Sequence, residues 1–139
     1  MGSKIHLLTD RNGLPLSAGI SGANTHDSQG LKPLVQGIPP IRSRRGPRRR
    51  RPAKLHGDKG HDYPHLRRWL RDRNITPRIA RKGIESSERL GRHRWVVKRT
   101  VAWMNGLRRL HRRYERMPDH FLGFIGIAAA LICYRRITN

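Results

Sequence analysis

Apolar and β-branched residues fill Lys4 to Thr9, and an extended pattern resumes from Pro15 to Ser21 after Arg11-Asn12-Gly13. An Asn-Gly pair between two such runs is a strong hairpin signal, because the turn needs residues that accept positive φ. Asn24-Thr25-His26-Asp27 then offers several N-cap side chains. Leu31, Leu34 and Val35 follow at helical spacing and stop before Gly37 and Pro39-Pro40, which predicts a short helix. Lys54 to Gly57 predicts a strand ending on Asp58. Leu66, Trp69 and Leu70 place a helix within Tyr63 to Arg73, and Ile75 to Ala80 predicts another strand. Gly83 to Gly91 reads as a polar loop. Val97, Val101, Met104 and Leu107 recur at three- and four-residue steps, which predicts an amphipathic helix from Arg94 to Leu110. Pro118-Asp119 starts a last helix ending near Arg136. The order β-β-α-β-α-β-α-α defines an α/β fold with an antiparallel edge hairpin and one parallel strand–helix–strand unit.

Charge changes that picture from a bare fold to a candidate partner. The 139 residues suffice for one domain with a core. Lys plus Arg number 31 against 9 Asp plus Glu, a formal +22 with a pI near 11.9. Such an excess repels itself in a compact chain unless an anion accepts it. Most of the cations are Arg, whose planar fork suits phosphate, so nucleic acid is the leading partner and an anionic membrane surface the second. The apolar run Phe121 to Tyr134 is shorter than the roughly 20 residues a spanning helix needs, which favours a buried helix. Cys133, the single cysteine, excludes an internal disulfide and a cysteine-rich zinc site. The N-terminus lacks the long apolar run of a signal peptide, and a soluble bacterial cytoplasmic protein is expected.

The basic residues cluster. Arg42, Arg44, Arg45, Arg48, Arg49, Arg50 and Arg51 lie in a Pro-punctuated stretch, Arg42 to Pro52, with no apolar period, which predicts an exposed loop. A second group is Arg108, Arg109, Arg112, Arg113 and Arg116. Both predict salt-sensitive, weakly selective DNA binding through phosphates, a contact that positions a backbone without reading bases. Trp69, Trp95 and Trp103 sit at apolar spacing on helices, so core packing is preferred to stacking on bases. His61 and His65 are four apart with no third ligand nearby, a poor zinc site. Asp58 has two readings. It is a turn or N-cap aspartate, or it is a carboxylate at the carboxyl end of a strand, where α/β sheets gather ligands and a hard cation such as Mg²⁺ could be held. Lys59 beside it is a phosphate contact.

The stretches GSKIHLLTD, GLPLSAGISGANTHDSQGLKPLV, LHGDKGHDY, ITPRIARKG and GRHRWVVKRTVAWMNGLRRLHRRYER, with the arginine loop between them, resemble in one order the DDE transposases of bacterial insertion sequences, nearest to the insertion-sequence-five family. The resemblance covers nearly the whole chain. It implies a ribonuclease-H-like fold whose two aspartates and one glutamate hold two Mg²⁺ or Mn²⁺ ions for metal-dependent strand cleavage and transfer, a chemistry that needs converging carboxylates. It places the second aspartate on Asp58, within a family Asp-x-Gly-Tyr-Asp pattern that here reads Asp58-Lys59-Gly60-His61-Asp62. The family run Arg-x-x-x-Glu-Arg-Thr matches at Arg94, Arg99 and Thr100, but Lys98 occupies the glutamate position. The first aspartate belongs to a strand before Lys4.

The resemblance therefore implies the C-terminal part of a single catalytic domain over residues 1–139, missing its first strand, with the basic loop at 42–52 and C-terminal helices over 94–136. It also implies a chain that binds transposon and target DNA but is inactive in cutting. Lys98 would repel Mg²⁺ and pair with Asp58 in its place. Glu85, Glu88 and Glu115 are poorly placed to substitute. The DNA-contacting set adds Lys59, Arg94, Arg99, Arg108 and Arg109 to the loop arginines. Two other readings are a second reading frame of an active, frameshifted transposase and a non-enzymatic regulator that pairs with intact transposase. A homo-oligomer is compatible with any of them, and poor solubility of the isolated chain is expected from unpaired strand edges.

Overall fold

The computed structural model describes residues 2–42, 44–83, 87–111 and 116–139. Strands β1 (Ser3–Thr9) and β2 (Pro15–Gly22) form an antiparallel hairpin, with Ile5 opposite Ile20 and a register shift between Leu8 and Thr9. A 3-10 turn, Asp27–Gly30, leads into α1 (Leu31–Gln36). Then follow β3 (Lys54–Gly57), a 3-10 turn at Lys59–His61, α2 (Pro64–Asp72) and β4 (Thr76–Ile79). The rest is helical: α3 (Ser87–Asn105), the single turn α4 (Arg108–His111) and α5 (Pro118–Thr138). The expected order is present, with α4 added. Helix α3 begins at Ser87, inside the stretch expected to be a polar loop.

The two strand pairs do not merge. Strand β3 pairs in parallel with β4, Leu55 opposite Pro77, and the described residues hold two separate two-stranded sheets. A single ribonuclease-H-like sheet is therefore not formed by these residues alone. The parallel pair, α1 and α2 enclose one core cluster, in which Leu70 and Ile75 are almost wholly buried, and Leu8 of the hairpin packs against it. The second cluster joins Met104, Leu110, Phe121, Ile125, Ala128 and Ile132, and Leu7, Ala18 and Ile20 pack against it. Leu7 and Leu8 thus serve different clusters, as successive strand residues point to opposite faces.

The hairpin turn is where the long helix docks. Asp10 Oδ1 accepts from the Asn12 and Leu14 amides, both at 2.8 Å, and Gly13 takes φ +89°. Thr100, fully buried, donates from its hydroxyl to Gly13 O at 2.6 Å and stands 3.1 Å from Val96 O. A Cβ on Gly13 would meet Thr100 Oγ1 at 3.0 Å and the Arg99 guanidinium at 3.2 Å. Gly13→Ala therefore combines a left-handed backbone with a crowded contact. It is expected to destabilise the fold by about 1–2 kcal/mol, read as a lower midpoint in urea with an unchanged slope.

Thr100 also corrects the predicted face of α3. The buried stripe runs Val96, Thr100 and Met104, while Val97 and Val101 are partly exposed. Apolar residues alone turn the helix by one position, because the residue docked most deeply is a threonine whose hydroxyl is satisfied inside. The last helix differs too. It is 21 residues long, and its length and composition would suffice to cross a membrane, yet Phe121, Ile125, Ala128 and Ile132 sit in the protein core. The opposite face carries Ile127, Tyr134 and Ile137, 66%, 67% and 72% exposed, so the helix expected to be buried is buried along one stripe only.

Candidate nucleic-acid interface

The arginine stretch forms a tied loop. The Ile41 amide donates to Arg49 O at 2.8 Å and the Arg49 amide to Ile41 O at 2.9 Å, an antiparallel bridge that closes the chain around residues 42–48. Beyond the bridge, Arg51 donates from Nη1 to Arg73 O at 3.1 Å, fixing the returning limb to the end of α2. Arg42, Arg44, Arg45, Arg48, Arg49, Arg50 and Arg51 are all exposed, as the lack of an apolar period predicts. The sequence contains no acid between Asp27 and Asp58 to neutralise them. The loop is thus a dense, solvent-facing array of guanidinium groups on an anchored base, suited to meeting several phosphates at once.

Asp58 lies at the end of β3, as expected. Its Oδ1 accepts from the Gly60 amide at 3.0 Å and caps the 3-10 turn Lys59–His61, so the turn-aspartate reading describes its geometry. Its carboxylate is 61% exposed, and His61 Nε2 stands 3.8 Å from Oδ1. Lys98 is exposed on α3, and the expected Asp58–Lys98 ion pair does not form among the described residues. Those residues contain no group of three His, Cys, Asp or Glu side chains placed to hold a metal. Glu85, Glu115, Arg112 and Arg113 lie outside the described residues, as do the side chains of Glu88 and Arg109.

The neighbour of greatest structural weight is Asp62, which in the sequence is only the last residue of a motif. Arg67 donates to Asp62 Oδ1 from Nε at 2.9 Å and stands 2.8 Å away through Nη2, while the Lys82 amide donates to Oδ2 at 2.9 Å. Arg67 Nη2 also reaches Ile79 O at 2.8 Å. One carboxylate and one guanidinium thereby pin the Asp58 turn, α2 and the end of β4 together. The Lys82 amide, then Arg67, hold the Asp62 carboxyl below its ordinary value. The signal available in the sequence is an acid five residues before an arginine, across a helix start.

A second polar network ties the hairpin to the 3-10 turn before α1. Lys4 Nζ donates to Thr25 O at 2.9 Å and pairs with Asp27 at 3.1 Å, and its hydrogen bond lowers the Asp27 pKa. His6 meets Ser21 Oγ at 2.7 Å, and burial pushes its pKa down. Of the N-cap candidates, His26 is the one used: its Nδ1 accepts from the Ser28 amide. Its ring meets Tyr63 edge-on at 5.6 Å.

The remaining predicted DNA-binding side chains divide. Arg94 and Arg108 are exposed, and Lys59 is half-buried. Arg99 is engaged within the fold: its guanidinium donates to Asn12 O at 2.5 Å and lies 4.5 Å from the Trp95 ring and 4.9 Å from that of Trp103. Trp69 packs against the first core cluster with Arg73 over its ring at 3.9 Å. Trp103 packs against the second, whereas Trp95 is 51% exposed, contrary to the core placement expected for all three.

Charge and geometry define a basic α/β domain with its arginines concentrated on one tied loop. The family model of the transposase DDE domain matches residues 1–133, and the chain belongs to that family. It is 46% identical, over 99% of its length, to a protein of Burkholderia cepacia named as a putative transposase for insertion sequence element IS402, and it covers 65% of that relative. It is 25% identical over 93% of its length to the transposase for insertion sequence element IS1106 of Neisseria meningitidis serogroup B, covering 42% of it. The chain therefore spans between two fifths and two thirds of these relatives. No solved structure matches it.

Proposed function

We propose that this chain binds DNA through its anchored arginine loop and does not itself cut DNA. The loop carries the reading: seven exposed arginines lie close together on a base tied by the Ile41–Arg49 bridge and by Arg51, with no acid in that whole stretch of sequence. Membership of a transposase family supports DNA as the polyanion. Arg94 and Arg108 are further exposed cations, and Lys59 follows Asp58 directly. The finer frame we propose is ribonuclease-H-like. Each two-stranded sheet then offers an edge to a further strand, and the parallel β3–α2–β4 unit suits that frame.

The proposal of inactivity rests on the donor set. A two-metal centre needs carboxylates on several elements converging on one phosphate. Here Asp58 caps its own turn and faces His61, and the family's glutamate position holds Lys98, a cation that disfavours a divalent ion nearby. Among the described residues this donor set does not fit the two-metal group.

Replacing Arg48, Arg49, Arg50 and Arg51 with alanine tests the loop. At most four phosphates then go without a guanidinium partner. The slope of log affinity against log salt is expected to shallow by up to about 4, in proportion to the phosphates no longer neutralised. An unchanged slope and affinity would place the DNA surface elsewhere.

A further inference from the structure

We propose that the tip of the arginine loop reads DNA shape, placing Arg44 and Arg48 in the narrow minor groove of A·T-rich duplex. This rests on the DNA-binding reading above and adds the kind of DNA preferred. All seven cations from Arg42 to Arg51 are arginine, whose fork suits phosphate and whose weak hydration also suits a groove. Guanidinium is more weakly hydrated than ammonium, and it is drawn to the enhanced negative potential of a narrow minor groove.

The loop's build matches that use. A two-stranded ribbon is too wide for a minor groove about 6 Å across, so only side chains from a thin tip can enter. The tip is Arg44-Arg45-Gly46-Pro47-Arg48. Gly46 has φ +98°, and nothing lies within 4 Å of where its Cβ would stand, so the turn there faces open space. Arg44 and Arg48 flank Gly46 by two residues on either side and are exposed. Pro47 fixes one backbone angle at the tip, and the Ile41–Arg49 bridge closes its base. Arg51, held on Arg73 O, ties the returning limb of the loop to the end of α2. A tip fixed in this way loses less freedom on entering a groove than an untied basic tail. Minor-groove arginines elsewhere distinguish A·T from G·C through groove width and do not spell a sequence.

The test is fluorescence anisotropy of the full 139-residue chain on two duplexes of equal length, one with a central A-tract and one wholly G·C, at one salt concentration. The expected result is tighter binding to the A-tract by about tenfold, the scale of one base pair's discrimination. The same preference should fall when netropsin occupies the minor groove. The double variant Arg44→Lys, Arg48→Lys keeps the net charge, and it should retain the salt slope while losing the preference. Equal affinities for the two duplexes overturn the inference but leave DNA binding intact. A preference that survives in the lysine variant overturns the assignment to Arg44 and Arg48. Failure to bind either duplex overturns the DNA-binding reading itself.

Discussion

Raising monovalent salt from about 50 to about 200 mM is expected to weaken DNA binding by the chain roughly 10³- to 10⁵-fold, the loss that goes with neutralising about 6 to 10 phosphates. The reason is counterion release: each guanidinium that meets a phosphate frees a condensed cation, and added salt opposes that release. The loop supplies seven exposed arginines, and Arg94 and Arg108 bring the count to nine, within that range. Few groups compete for these cations, since the chain holds only 9 acids against 31 basic residues. Asp27 is paired with Lys4 and Asp62 with Arg67, so two of those acids already have other partners. Anisotropy titrations across the salt range measure the effect. A slope corresponding to one or two phosphates would show that the arginine loop stays in solvent when DNA binds.

The second large effect concerns the fold beneath the site. Asp62→Ala is expected to cost about 2–3 kcal/mol, because it strips a charge-assisted partner from Arg67, 14% exposed, and leaves the Lys82 amide without its acceptor. The same carboxylate sets a pH dependence. Its folded pKa lies below the ordinary 3.8, so its contribution is fully present above that value and is lost as pH falls through the folded pKa. Urea midpoints for the unmutated chain should therefore drop more steeply below about pH 4 than those of Asp62→Asn, which keeps the shape and loses the titration. Parallel pH profiles for the two chains would remove Asp62 as the clasp of this unit.

These two cases mark what local chemistry in the sequence conveys and what it does not. The hairpin is legible because Asn12-Gly13 falls between two extended runs; Gly13 has a positive φ and Asn12 does not, and Asp10 Oδ1 holds the turn. The β3–α2–β4 unit is legible from Leu66, Leu70, Ile75 and Ile79, all of them buried. The arginine loop is legible as exposed, but the Ile41–Arg49 bridge that shapes it depends on backbone groups no side chain announces. The face of α3 is hidden because Thr100 is a polar residue wholly inside, satisfied by Gly13 O from 87 residues away. The exposed side of α5 is hidden by its uniform apolarity, which gives no periodic cue to which stripe is buried. Asp62 and Arg99 stand out in the sequence for motif or charge, and their roles in holding the fold depend on partners far along the chain.

Strand cleavage by the unmutated chain, beside an Asp58→Ala control, tests most directly whether this domain binds DNA without cutting it. Supercoiled plasmid would be incubated with each protein in Mg²⁺ and then in Mn²⁺, and the open-circular fraction followed over time. On the proposed reading, with Lys98 where the resemblance puts the family's glutamate and Asp58 engaged in capping its turn, both proteins should leave the plasmid supercoiled to the same extent. Metal-dependent nicking by the unmutated chain that disappears in Asp58→Ala would contradict that reading and make Asp58 a working metal ligand.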